Sequence, residues 1–312
     1  MNVTVNKTES YGQEETIASM AMSMMGVVNN SLLIIVILVD PLHIIRRGPW
    51  ITVLSLASAD FIASLSKFLT LGFAAEFGIE VSNEIKSACL YMWMLGAAGS
   101  FFHLTSLTWQ TLATAKYPIR SRQMLSTKKV IILCITMWFV ASCLALGEIS
   151  HEIFDISFEQ VMHIYITEYA VLEFAVFLQI IMKCFIIKEV MLSRRNANMN
   201  GQQQNSKHLE IAKTIVILNI VLFVTAFPYF VAKQVEFIER LGKIQSSYAR
   251  HFAEHYEPVA LLNFALNPIV YALRLENYRN SLKLFFRCFR NSRYNLNSRN
   301  YISVSRKNAA DV

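Results

Sequence analysis

The sequence predicts an all-α membrane protein: a seven-transmembrane helix bundle followed by a short amphipathic cytoplasmic helix 8. Three observations carry that reading. Seven apolar stretches recur along the 312 residues, most of them near the ~20 residues a helix needs to cross the hydrocarbon. Only 16% of the residues are charged and 54% are hydrophobic, whereas a soluble domain carries about 25% charged residues. Charge is also one-sided. Loops 40–49, 116–129 and 188–213 with the tail 274–312 hold 21 Lys and Arg against 6 on the other side, while acids run 5 against 15. Basic loops stay cytoplasmic, so the N-terminus is expected outside and the tail inside a plasma-membrane protein. The basic residues flank spans rather than cover one folded face, which argues against nucleic-acid binding.

Residues 1–16 read as an extracellular tail. They lack a basic segment followed by an apolar one, so no cleavable signal peptide is expected. Asn2-Val3-Thr4 and Asn6-Lys7-Thr8 are glycosylation sequons. The membrane domain covers 17–273, with spans expected at 17–39, 50–74, 88–114, 130–147, 162–187, 212–235 and 256–273. Asn30 lies in the first and Asp60 in the second; an ionisable group at membrane depth is by default a functional-site candidate. Lys67 and Glu173 are charged at partial depth. They face a ligand pocket, pair with each other, or, for Lys67, snorkel to the interface. Phe101, Phe102, His103, Tyr169, Tyr229 and Phe230 offer aromatic walls or ordinary packing, and Phe102 and Tyr229 are the preferred pocket candidates. Trp138 in span 4 reads as a packing residue.

Pro228 bends span 6 by removing a backbone hydrogen bond, and Pro268 does the same in span 7. Asn263, Asn267 and Tyr271 recur at i, i+4 and i+8 and project from one face of span 7. Residues 274–290 are amphipathic and basic, as expected of a helix on the inner leaflet, and Cys288 near its end is a palmitoylation candidate. The tail 291–312 is polar and expected to be disordered. Five cysteines show no metal spacing. No Gly-rich phosphate loop or H-E-x-x-H occurs, so an enzyme is not expected.

Asn267-Pro268-Ile269-Val270-Tyr271 and the following basic helix resemble the last span and helix 8 of rhodopsin-like G-protein-coupled receptors. Asn30, Asp60, Trp138, Pro228, Asn263 and Tyr117 match positions of the same family. The resemblance implies an extracellular ligand, a heterotrimeric G protein and arrestin as partners, and no cofactor beyond a sodium ion. That ion would be held by Asp60, Thr105, Asn263 and Asn267; the alternative is a hydrogen-bonded network without an ion. It further implies switch and coupling roles for Lys116, Tyr117, Pro228, Asn267, Pro268 and Tyr271. Ala115-Lys116-Tyr117 stands where the family has Asp-Arg-Tyr, so the acid that restrains the central cation is missing. Either the receptor is easily activated, or its G-protein coupling is weak or absent, or Lys116 serves only as a positive-inside anchor. Thr225-Ala226-Phe227 replaces the family's Cys-Trp-x, and the second outer loop has no Cys to pair with Cys89. The missing loop cysteine and a span 5 without Pro are similar to the melanocortin, lysophospholipid, cannabinoid and adenosine receptor branch. Two functions follow: a receptor signalling through G proteins with high basal activity, or a seven-span ligand-binding or scavenging protein with weak or no coupling.

Overall fold

The computed structural model describes residues 3–39, 49–75, 82–117, 119–154, 156–200, 217, 220, 223–244, 247–274 and 278–287. Among them there is no strand. The helices are α1 Val3–Val39, α2 Pro49–Ala75, α3 Asn83–Lys116, α4 Ser121–Met124, α5 Thr127–Ala145, α6 Ser150–Ile153, α7 Phe158–Asn200, α8 Phe227–Leu241 and α9 Tyr248–Arg274, then α10 Tyr278–Arg287. The segments 14–39, 49–72, 127–145 and 158–189 are each long and apolar enough to cross a membrane on their own. The helix α3 is more polar because it is the central one, packed against α2, α5 and α7. The ring closes through α7 on α8, α8 on α9, and α9 on α1 and α2.

Several ends differ from the sequence expectation. α1 is continuous from Val3, with no break at 16/17; the polar N-terminal segment contains no proline to end it. α7 likewise runs past the expected end at 187 to Asn200. The helix before Ala226 is interrupted there and restarts at Phe227 with Pro228 in its first turn. Between α9 and α10 the axis turns by 88°.

Small residues set how close the helices come. A Cβ on Gly96 of α3 would run into the backbone of Ala59 and Ala63 on α2, so these two helices meet backbone to backbone, as membrane helices do where small residues face each other. The apolar stripe of α10 is shared between the bundle and the lipid side: Tyr278 is buried against Trp50 at 6.3 Å between ring centroids, while Phe286 stays exposed. Among the described residues Cys89, Cys134, Cys143 and Cys184 are all free thiols.

Candidate functional site

Each of two proline breaks leaves a carbonyl without its helical donor, and in each case a neighbouring helix supplies one. Pro268 has no N–H, so the carbonyl of Phe264, four residues earlier, is released. Asn30 of α1 donates its Nδ2 to that oxygen at 2.9 Å and to its own Gly26 carbonyl at 2.9 Å. Asn29 adds a bond to the Ala265 carbonyl at 3.1 Å. Pro228 releases the carbonyl of Val224, and Tyr256 of α9 donates its hydroxyl there at 2.6 Å. Membrane-depth backbone must be satisfied internally; here side chains of adjacent helices do it, so both bends are tied to the packing of their neighbours.

Beside the Pro268 break lies a sealed polar core. Asp60 is fully buried, and Asn267 donates its Nδ2 to Asp60 Oδ2 at 2.5 Å. Ser100 of α3 is the other hydrogen-bond partner of Asp60. Among the described residues these polar atoms find no partner: Asp60 Oδ1, Asn267 Oδ1, both amide atoms of Asn263, Asn30 Oδ1 and the Tyr271 hydroxyl. Burying so many unsatisfied atoms is costly, and unpartnered oxygens beside the Asp60–Asn267 bond suit water or a hard cation, which prefers carboxylate, amide and hydroxyl oxygens.

Thr105 does not belong to this set. Its hydroxyl donates to the Phe101 carbonyl at 2.7 Å and accepts from Gln179 Nε2 of α7 at 2.8 Å. Five residues along a helix turn through about 140° relative to the same face. With Ser100 aimed at Asp60, Thr105 therefore faces α7. Gln179, a buried amide that also reaches the Phe101 carbonyl at 3.3 Å, escaped the sequence reading, although a Gln within an apolar run was the signal for it.

The outer half rearranges the other candidates. Lys67 does not pair with Glu173. It forms an ion pair with Glu257 of α9, each side chain 18% exposed, and its ammonium lies 5.5 Å from the centroid of the Trp93 ring. Glu173 instead receives Gln234, whose amide nitrogen donates to both carboxylate oxygens at 2.9 and 2.8 Å. The reason is reach: α9 lies beside α2, whereas α7 is across the bundle. Tyr229 is buried and hydrogen-bonded to Glu257. Phe102 is a core residue, while its neighbour Phe101 meets Phe230 edge-on at 5.0 Å. His103 is no pocket wall. It is fully buried, bound to Ser55 Oγ at 2.8 Å and to the Gly99 carbonyl at 2.7 Å. Trp138 donates to the same Ser55 hydroxyl at 2.8 Å.

Three acids gather beneath the second outer loop. Glu236 takes both Lys233, at 2.9 Å, and Arg240. Glu148, in the turn after α5, is buried, and burial pushes its carboxyl up to about 7 while the charge of Lys233 opposes the shift. Glu168 of α7 is buried with neither oxygen partnered. Among the described residues no group of three or more His, Cys, Asp or Glu has the geometry to hold a metal ion.

At the C-terminal end of α3 stands Lys116, exposed, with its ammonium 5.4 Å from the Tyr117 ring centroid. Asn2, Cys288 and the tail 291–312 lie outside the described residues, as does the side chain of Asn6. No curated protein sequence matches the chain. A family model for the 7 transmembrane receptor (rhodopsin family) matches residues 29–271, which runs from the first span through Tyr271 and contains the Asp60 core and both proline breaks. The chain therefore belongs to the rhodopsin family of seven-transmembrane receptors, and is a multi-pass membrane receptor rather than an enzyme.

Proposed function

We propose that the protein is a cell-surface receptor that binds an extracellular ligand in the outer half of the bundle and signals to heterotrimeric G proteins, with substantial basal activity. The observation that carries this is the Asp60–Asn267 bond across α2 and α9, set beside the Pro268 break in a core with unpartnered oxygens. Such a core can exchange its hydrogen bonds between two arrangements of α9, which is what a two-state switch needs. The donor set fits a sodium ion: Asp60 Oδ1, Asn263 Oδ1, Asn267 Oδ1 and the Ser100 hydroxyl would hold it, with Thr105 outside the set. A bound cation would neutralise Asp60 and favour the arrangement in which these oxygens converge.

Basal activity is supported by what the resting restraints lack. Ala115 stands before Lys116, which pairs with no carboxylate among the described residues. Ala226 stands where the family's Trp would pack above the Pro228 break. Lys116, Tyr117, Pro228, Asn267, Pro268 and Tyr271 form the coupling path in this reading, and arrestin is a second cytoplasmic partner. The N-terminus is extracellular with Asn2 and Asn6 glycosylated; the tail is cytoplasmic in the plasma membrane, with Cys288 lipidated. The absence of a second-loop cysteine and of a span 5 proline supports a relation to the melanocortin, lysophospholipid, cannabinoid and adenosine branch. The exposed Lys116 beside Ala115 favours one competing reading, a seven-span ligand-binding or scavenging protein without coupling.

Nucleotide exchange by a panel of heterotrimeric G proteins in membranes holding the full chain separates the two. Exchange above receptor-free membranes supports the receptor reading. Silence with every G protein, at demonstrated surface expression, favours the scavenger.

A further inference from the structure

We propose that Glu168 and Glu148 are the anionic anchor of a site for an organic ammonium ligand, walled by Tyr165, Tyr169, Phe230 and Tyr229. The inference deepens the receptor reading above and rests on it for the ligand's signalling role, though not for its binding. Glu168 is 3% exposed, and neither of its carboxylate oxygens has a hydrogen-bond partner among the described residues. Glu148 is buried close enough for its charge to act on Glu168. Both hydrogen-bonding cations nearby, Lys233 and Arg240, are committed to Glu236. Lys233 acts on Glu148 only through space. The cluster therefore holds more acid than base, and Glu168 is the carboxylate left without a direct partner among the described residues.

The surroundings select the kind of cation. Gly147 has no side chain, and a Cβ there would collide with the Glu168 carboxylate, so the missing side chain is what lets the acid lie against the end of α5. Tyr169 contacts Phe230 at 5.5 Å and Phe237 at 5.4 Å, Tyr165 contacts Phe237 at 5.1 Å, and Tyr229 contacts Phe230 at 5.5 Å between centroids. Aromatic faces attract a cation with an apolar body, while a bare metal ion would need a set of oxygen or nitrogen ligands that this cluster does not supply. An ammonium brings the N–H donors the Glu168 oxygens lack, and an aryl or alkyl body suits the wall. The anchor lies on α7 and the second outer loop; Tyr229 of its wall also bonds Glu257, whose charge Lys67 already balances.

The test uses the purified full-length receptor in detergent micelles, its thermal unfolding followed with 2-phenylethylamine, tyramine and phenethyltrimethylammonium, and with 2-phenylethanol as the uncharged match. The two primary ammonium probes are expected to raise the unfolding temperature saturably, the quaternary one, which has charge but no N–H to donate, to raise it less, and the alcohol to leave it in place. Removing one partner of a desolvated charge pair costs enough that Glu168→Gln should weaken apparent affinity by roughly thirty-fold or more. Glu148→Gln should weaken it less. Gly147→Ala, which crowds the carboxylate without altering charge, should also weaken it, and decides the matter if Glu168→Gln fails to accumulate. No stabilisation by any ammonium probe, stabilisation matched by the alcohol, or undiminished affinity in Glu168→Gln and Gly147→Ala would overturn the site. Binding by the amines without nucleotide exchange would keep the site and defeat the coupling instead.

Discussion

Around Asp60 a single carboxylate meets a neutral amide and a hydroxyl; at the outer end of the same bundle carboxylates find cations, Glu257 across helices from Lys67 and Glu236 within α8 from Lys233 and Arg240. In the inner core the charge has no protein counter-ion, so its balance depends on water, a cation or a proton from solution. At the outer end Lys67 and Glu257 balance each other and Glu236 is doubly paired, while neither carboxylate oxygen of Glu168 has a partner among the described residues. The inner region is thereby suited to switching and the outer ion pairs to holding α2 and α9 together. The acids left over are the exception that points to a ligand.

The largest expected effect breaks the outer pair. Lys67→Ala leaves Glu257 without its cation in a site 18% exposed, at about 2–4 kcal/mol given partial exposure. Surface expression and unfolding temperature should fall, and adding Glu257→Gln should restore much of both. Full stability in the single variant would mean the pair holds nothing.

Next comes the carbonyl freed by Pro268. Asn30→Leu withdraws the donor from the Phe264 oxygen, at about 1–3 kcal/mol for a buried group left unsatisfied. Tyr256→Phe should do the same at Val224 with a smaller loss, because that end is less buried. Unfolding temperatures of the two purified variants give the ranking; equal or absent losses would show that the breaks are satisfied some other way.

The third effect sharpens the inner core. Exchanging N-methylglucamine for sodium should stabilise the wild type, by about 1.4 kcal/mol at a tenfold excess over the dissociation constant. Asp60→Asn should abolish the gain, Ser100→Ala should reduce it, and Thr105→Ala should leave it intact. A sodium response lost in Thr105→Ala and kept in Ser100→Ala would reverse the assignment.

Smallest of all is Cys89→Ser. The thiol is free, so expression should stay nearly unchanged, unlike loss of a native disulfide at ~2–5 kcal/mol.

What could be read in the sequence follows the same division. Asp60, Asn267 and Pro268 lie in a local pattern, and the helical period alone puts Asn263, Asn267 and Tyr271 on one face. Seven apolar runs and the one-sided charge were enough for the bundle. Thr105 was misplaced because the α3 residue that meets Asp60 is Ser100, five positions earlier, and five positions turn a side chain through about 140°, enough to send it to a different helix. Lys67–Glu257, Gln234–Glu173 and Tyr256–Val224 could not be read, since each depends on which helices become neighbours, and polarity within a span says that a partner exists without saying which. Asn30 was visible as an amide in an apolar run; that it serves the carbonyl freed by a proline 238 positions later needed the packing of α1 on α9.

The central claim is that the polar core and the cytoplasmic end of α3 form a loosely restrained switch, and basal nucleotide exchange in membranes at matched surface expression tests it most directly. The wild type should exchange above receptor-free membranes without added ligand. Ala115→Asp should lower that rate by giving Lys116 a local partner, and a change of ~1.4 kcal/mol between the states would lower the population ratio tenfold. Basal exchange unmoved by Ala115→Asp would contradict the switch, and silence with every G protein would contradict coupling altogether.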